Sequence, residues 1–475
     1  MDSDVNERID SLVTGETSQG VEFRASILRL TRHSVVFEFY NPAWMLRLSE
    51  VLMNFKILLN GQGVYSGRAV VSHLVNTGTM AVCEASLEEG WLDVDFYAPF
   101  DSGIKLRDQF SHFMKDWQKN YKLLPQYKQA VVDTQTFLED LRRWIEQVEL
   151  GVRSCPSVDG SKLECEVAED LAQSTSPVLT ALFEKFEEAA SLVDADSQPV
   201  HRSFARRHLH PLLLCSPFLY RAYHKPLGYA GDYEMVNMIV RPPFEGASLF
   251  AKLVNVWFLK QPPAEAHRNR IRYLANRIAE STAAALSSGR VARILSLGCG
   301  PAWEVQQFLE EKHFSNNASF ALLDFNVETL DYARSTLENI KRKHSRTTQF
   351  QYIKRSVAQI AKDGGRTFER SNESQYDLIF CAGLFDYLPD QICRRLGDVF
   401  YGWLAPGGLL ITTNVDRYNP RRLTMEYVMD WHLIYRTGAE LAALKPELAR
   451  PDWCAVRSDT TGVNIYFEAT KPQRE

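Results

Sequence analysis

The sequence is short of three things. None of its eight cysteines (Cys83, Cys155, Cys165, Cys215, Cys299, Cys381, Cys393 and Cys454) belongs to a CxxC pair. That argues against a zinc site and, in a chain of 475 residues, against a disulfide framework; no metal is expected. No window approaches 18 uninterrupted apolar residues, so no membrane span is expected. Positive charge is not in excess: 54 Lys and Arg against 59 Asp and Glu leave a formal net charge of −5. Nothing electrostatic therefore calls for nucleic acid or an anionic membrane as partner. The opening Met1-Asp2-Ser3-Asp4 has neither a basic stretch nor an apolar one, so no export signal is expected and a reduced cytoplasm is the expected location.

What is present is ordinary in amount, with 45% apolar and 24% charged residues, and long enough for two or three domains. Residues 21–91 are β-rich. Strand patterns at 34–40, 55–59, 65–74 and 79–86, punctuated by Asn41-Pro42, Asn60-Gly61 and Asn76-Thr77-Gly78, suggest a small antiparallel barrel within 1–108. Residues 109–150 and 165–193 carry apolar residues at helical spacing and form a helical arm or linker over 109–200, a spacer or dimer interface. Residues 201–290 are expected to be a helical cap. Within it, the irregular loop from Lys225 to Asp232, with two glycines around Tyr229, has the composition of a functional loop. His208 and His210 lack partners at metal-ligand spacing.

The stretch RILSLGCGPAWE, residues 293–304, reads as a buried strand, a glycine turn and a helix start, the form a doubly wound α/β fold uses at a nucleotide-like ligand. A second strand ends at Asp324, where an acidic side chain accepts hydrogen bonds from ribose hydroxyls. Strands at 350–353 and 376–383 follow, then a helix end, a Pro406-Gly407-Gly408 turn and a fifth strand. A helical insert through Arg436 and a closing antiparallel pair complete 291–475. A nicotinamide site would want GxGxxG, but bulky Trp303 stands at the third glycine, and Glu304 in the first helical turn offers nothing to a pyrophosphate.

In order and spacing, LxLGCGxxxE, Asp324, YDLIFCAG and LAPGGLLIT are similar to the class I S-adenosylmethionine-dependent methyltransferases. The resemblance implies a Rossmann-like doubly wound α/β domain with S-adenosylmethionine as cofactor. Gly298, Cys299, Gly300 and Glu304 would then border the methionine moiety, and Asp324 would hold the ribose. Phe325, Ser356 and Val357 would flank adenine, with Ala382 and Gly383 opposite. The N-terminal barrel resembles a PilZ-type domain, whose members often bind cyclic di-GMP through an arginine pair separated by three residues and an Asp/Asn-x-Ser-x-x-Gly turn. Arg24, Arg29 and Arg32 do not have that spacing and Asn76-Thr77-Gly78-Thr79 is only part of that turn, so cyclic di-GMP is not expected; packing or a homodimer, through the barrel or the helical arm, is.

Over nearly the whole chain, FRA…LRLTRH, HKPLGYAGDYEMVN, DWHLIYR and TTGVNIYF resemble the bacterial extracellular-factor 3-hydroxypalmitate methyl ester synthases, PilZ-like barrel included. That resemblance implies quorum-signal biosynthesis, by methylation of the carboxylate of a 3-hydroxy fatty acid. A carboxylate is already ionised at neutral pH and needs only alignment, whereas a hydroxyl or amine acceptor needs a base. His224, Tyr229, Asp232, Asp386, Tyr387, His432 and Tyr435 could serve either chemistry. O-, N- or S-methylation of another small metabolite stays open, as does a nucleotide-sensing regulator with a non-catalytic methyltransferase-like domain.

Overall fold

Alternation of apolar and polar residues along the N-terminal strands turns one face of each toward a shared interior. The computed structural model describes residues 11–39, 46–59, 62–76, 81–88, 91, 111, 114, 123–154, 160–357, 359–360 and 375–473. The turn signals at Asn41-Pro42, Asn60-Gly61 and residues 77–79 lie outside them. Strands β1 (Leu12–Glu16), β2 (Glu22–Leu30), β3 (Ser34–Phe39), β4 (Val51–Leu59), β5 (Gln62–Asn76) and β6 (Ala81–Leu87) pair antiparallel in the order β1-β2-β3-β6-β5-β4. Pairing of β4 with β1 closes the barrel, which removes the free edges that invite aggregation. Val13, Val35, Phe37, Phe55, Ile57 and Tyr65 fill it, all fully buried.

Helices α1 (Pro125–Arg153) and α2 (Gly160–Ser191) pack together, followed by α3 (Gln198–Leu213) and α4 (Pro217–His224). Pro125 starts α1 where a missing N–H costs nothing, and Tyr127, Val131, Thr134, Leu138, Leu141 and Ile145 make its buried stripe. The chain divides into two units, each discontinuous in sequence. The first takes the described residues of 1–230, 244–257 and 422–432; the second takes 231–243, 258–421 and 433–475.

After α5 (Tyr233–Val240), α6 (Leu249–Leu259) and α7 (Pro262–Ser287), the second unit builds a seven-stranded sheet. Its strands are β7 (Ala292–Leu297), β8 (Ala318–Asp324), β9 (Gln349–Lys354), β10 (Tyr376–Cys381), β11 (Leu404–Val415), β12 (Cys454–Ser458) and β13 (Asn464–Thr470), in the order β12-β13-β11-β10-β7-β8-β9. The first five are parallel, and β13 runs antiparallel between β11 and β12. Alternate residues face two apolar layers. Leu295, Leu323 and Ile379 pack with α10 (Asp390–Trp403), while Ile294, Leu322 and Phe380 pack with α7, α8 (Trp303–Glu311) and α9 (Val327–His344). This is the doubly wound sheet that the motifs implied. From β7 the chain winds one way to β9 and the other way from β10, so the switch point lies between β7 and β10, where open α/β sheets bind ligands beyond the strand ends.

Two local expectations differ from what is found. Pro406-Gly407-Gly408 is not a turn before the strand but an irregularity inside β11: Tyr376 lies opposite Leu404 while Leu378 lies opposite Leu409. A Cβ on Gly408 would sit 2.7 Å from the Tyr376 carbonyl oxygen, which is why glycine is needed there. The insert is helical only over α11 (Arg422–Val428), before the short α12 (Gly438–Ala442); Asp430 turns left-handed (φ 54°) and the chain continues without helix to Arg436.

A buried ionic cluster sets that break. Arg206 Nη2 donates to Asp430 Oδ1 at 2.8 Å and Arg206 Nε to the Tyr427 carbonyl at 3.0 Å. Lys225 Nζ donates to the Met429 carbonyl at 3.1 Å, and Arg68 lies 3.6 Å from Asp430. Burial alone would raise the Asp430 carboxyl, but Arg206, the His432 hydrogen bond and Lys225 hold it well below the usual range. A depressed carboxyl stabilises the fold above its unfolded pKa of about 4 and loses that contribution as pH falls. Asp430→Ala is expected to cost about 3–5 kcal/mol by stranding Arg206, and Asp430→Asn to flatten the acid limb of stability. Denaturation of both variants across pH checks this; an unchanged acid limb in Asp430→Asn counts against it.

Candidate functional site

Beyond Leu297 the chain must leave the sheet and enter α8 at once. Gly298 (φ 64°), Gly300 (φ 51°) and Ala302 (φ 56°) make this turn in the left-handed region. A Cβ on Gly298 or Gly300 would meet no atom within 4 Å, so the backbone faces open space at the switch point. Two hydrogen bonds fix the ledge to β8, and a third orients the Asp324 carboxylate. Cys299 N–H donates to the Leu323 carbonyl at 3.0 Å, Gly300 N–H to Asp324 Oδ2 at 3.3 Å, and Asn326 N–H to Asp324 Oδ1 at 3.0 Å. Burial, with Asp324 and Glu304 nearby, pushes the Cys299 thiol well above its usual range, so it stays a neutral lining group.

On the other side of β7, Gly383 (φ 76°) follows β10 and donates its N–H to Thr413 Oγ1 at 2.9 Å. A Cβ there would fall 2.8 Å from Arg270 Nη1. Arg270 rises from the buried stripe of α7 and donates through Nη2 to His267 Nε2 at 2.6 Å. Burial, Arg270 and Arg268 keep His267 well below its ordinary pKa, so its imidazole is neutral and able to accept.

Two buried carboxyls complete the polar set. Burial pushes Glu304, in the first turn of α8, up to about 7. Asp386, in the short turn Phe385–Tyr387, is pushed up by burial to about 6, although it accepts the Val415 N–H at 2.6 Å. Arg270 opposes both shifts. Trp303 fills the place of a third glycine and donates its indole N–H to Asn237 Oδ1 on α5 at 2.8 Å. Tyr233 of the same helix donates to Glu328 on α9 at 2.7 Å. Past β9, Ser356 and Gln359 cap each other's N–H groups, and Val357 packs into the layer with Leu323.

The second unit therefore contains the sequence-predicted set Gly298, Cys299, Gly300, Glu304, Asp324, Phe325, Ser356, Val357, Ala382 and Gly383, together with Asp232, Asp386, Tyr387 and Tyr435. His224, Tyr229 and His432 belong to the first unit. Asp232 Oδ1 accepts the Met235 N–H at 2.8 Å and so caps α5. His432 is buried, with Nε2 3.1 Å from Asp430 Oδ1 and its carbonyl accepting the Ser49 hydroxyl at 2.9 Å. His224 is exposed, its ring in tilted contact with Tyr220. Arg270, His267 and Asn237 had not been singled out in the sequence; the one available signal was a charged residue on the apolar stripe of α7. Among the described residues no group of three or more His, Cys, Asp or Glu is placed to hold a metal ion, and no helix is long and apolar enough to cross a membrane.

No protein-family model matches the chain, and no curated protein does. Among solved structures it is similar to a Bordetella parapertussis protein, at 20% identity over 54% of this chain and 86% of that one, with a TM-score of 0.41. It is also similar to the N-methyltransferase NodS of Bradyrhizobium japonicum in complex with S-adenosyl-L-homocysteine (16%, 51% and 98%, 0.30). A third likeness is to an O-methyltransferase family protein of Burkholderia thailandensis (13%, 54% and 72%, 0.32). Likeness at this level does not identify a substrate.

Because only backbone strain opposes it, Gly298→Ala is expected to cost about 1–2 kcal/mol. Chemical denaturation measures this, and a loss beyond about 4 kcal/mol would show that the space past Gly298 is filled.

Proposed function

We propose that the second unit is an S-adenosylmethionine-dependent methyltransferase acting on a small molecule. The observation that carries this reading is the open ledge at Gly298 and Gly300 beside the buried Asp324, at the switch point of the sheet. The donor set fits the cofactor. Asp324 suits a ribose diol, and the bare backbone admits a chain without phosphate. Glu304 and Arg270 offer opposite charges to the ammonium and carboxylate of an amino-acid end, while Phe325, Ser356 and Val357 provide the base side and Ala382 and Gly383 the facing wall. When bound, the cofactor supplies an electrophilic methyl group on a sulfonium. The protein's contribution is then to align an acceptor and exclude water, since in-line displacement gains much of its rate from positioning.

The acceptor favoured by the chain-wide resemblance is the carboxylate of a 3-hydroxy fatty acid, which needs no base; Tyr387, whose hydroxyl can donate, is the proposed aligning group of this unit. A second reading is favoured by Asp386. A carboxyl held at about 6 lies in the range of a general base for a hydroxyl or amine acceptor.

Incubation with methyl-labelled S-adenosylmethionine and a 3-hydroxy fatty acid is expected to give a labelled methyl ester. Label on another metabolite of a cell extract would support the second reading, and no labelled product from either would contradict the enzyme. Cofactor affinity carries a pH signature. Glu304 gains charge as pH rises through about 7, so calorimetric affinity is expected to rise about tenfold between about pH 6 and 8. Glu304→Gln should be flat; an equal rise in that variant removes Glu304 from the site.

A further inference from the structure

The first unit holds a feature that methyl transfer does not use. A groove of about 960 Å³ is lined by the turn before β3, the end of β6 and one face of α3. On α3, Arg202, Arg206 and His210 recur every fourth residue and so line up along one face at steps of about 6 Å. Arg207 adds a fourth position on the same helix, and Arg32 and His33 come from the barrel.

The positive charge of Arg32 and Arg202 is poorly balanced. Glu88, the one carboxylate in the lining, is already engaged by Arg68 and the Tyr223 hydroxyl. Arg206 is matched by Asp430. Arg202, almost wholly buried, donates to the neutral Gln198 amide at 2.8 Å, and its Nε–H finds no acceptor. Neither Arg202 nor Arg32 has an ion-pair partner among the described residues. Both histidines are neutral: burial, reinforced by Arg32, Arg207 and Arg206 at His33 and by Arg206 at His210, holds each at about 4. The chain as a whole carries −5, so this positive field is local rather than a property of the surface.

We propose that this groove binds a small polyanion, a molecule carrying two or more neighbouring phosphate or carboxylate groups. Guanidinium groups pair with both oxyanions in two-point hydrogen bonds, and arginines set on α3 and on the barrel turn ask for charge at more than one point of the ligand. A groove of this limited volume suits a small molecule, and the net negative chain disfavours an extended nucleic acid.

The test is calorimetry on the full chain with pyrophosphate and, separately, citrate, for the wild type and for Arg32→Ala/Arg207→Ala. Both substituted side chains are exposed, and melting of the variant checks its fold; Arg32→Ala alone is used if the double variant melts early. Binding is expected to weaken about tenfold in the variant and to fall with added salt. A response to pyrophosphate only assigns phosphate chemistry to the site, and a response to citrate only assigns carboxylate chemistry. No binding of either at millimolar concentration, or equal binding by the variant, overturns the proposal. Because every lining residue lies in the first unit, this outcome is independent of whether the second unit transfers methyl groups.

Discussion

A parallel strand ending at the centre of a doubly wound sheet must turn without placing a side chain over its own end. Gly298 and Gly300 meet that constraint with left-handed backbone and nothing beyond their Cα atoms. The bond from Gly300 N–H to Asp324 ties the ledge to the neighbouring strand, so turn and acidic side chain are positioned as one piece. Ala302 adopts the same left-handed conformation at the entry to α8, a conformation that disfavours L-residues other than glycine.

The electrostatics of that lining centre on one guanidinium. Arg270 faces Gly383, is hydrogen-bonded to a neutral His267, and opposes the upward shifts of Glu304 and Asp386. Burial keeps both carboxyls close enough to neutrality that proton uptake or ligand charge can change their state near physiological pH. Perturbed carboxyls around a buried cation at a strand-end ledge are costly to a fold, and they cluster where ligands bind.

The sheet was largely legible because each strand is a short apolar run bounded by turn residues, and because Gly298, Gly300 and Asp324 sit at fixed offsets from strand ends. Trp303 was readable as an obstacle to a dinucleotide, but its bond to Asn237 joins residues far apart in the chain and left no local trace. Arg270 was hidden for the same reason, since helical periodicity marks a buried position without naming its partner. Pro406-Gly407-Gly408 has the composition of a turn, and only the neighbouring strand shows it to be an irregularity within β11. Asp430 and His432 read as polar residues of a substrate-facing insert. Their burial against Arg206, Lys225 and Ser49 comes from contacts inside the first unit, between residues far apart in sequence, that spacing along the chain does not encode.

The measurement that bears most directly on the central claim is a crystal structure of the full chain with S-adenosylhomocysteine. The account predicts the ribose hydroxyls on the Asp324 carboxylate and the amino-acid end passing over Gly298 and Gly300 toward Glu304 and Arg270. A ligand bound elsewhere, or a ledge that remains empty when the protein is saturated, would contradict it.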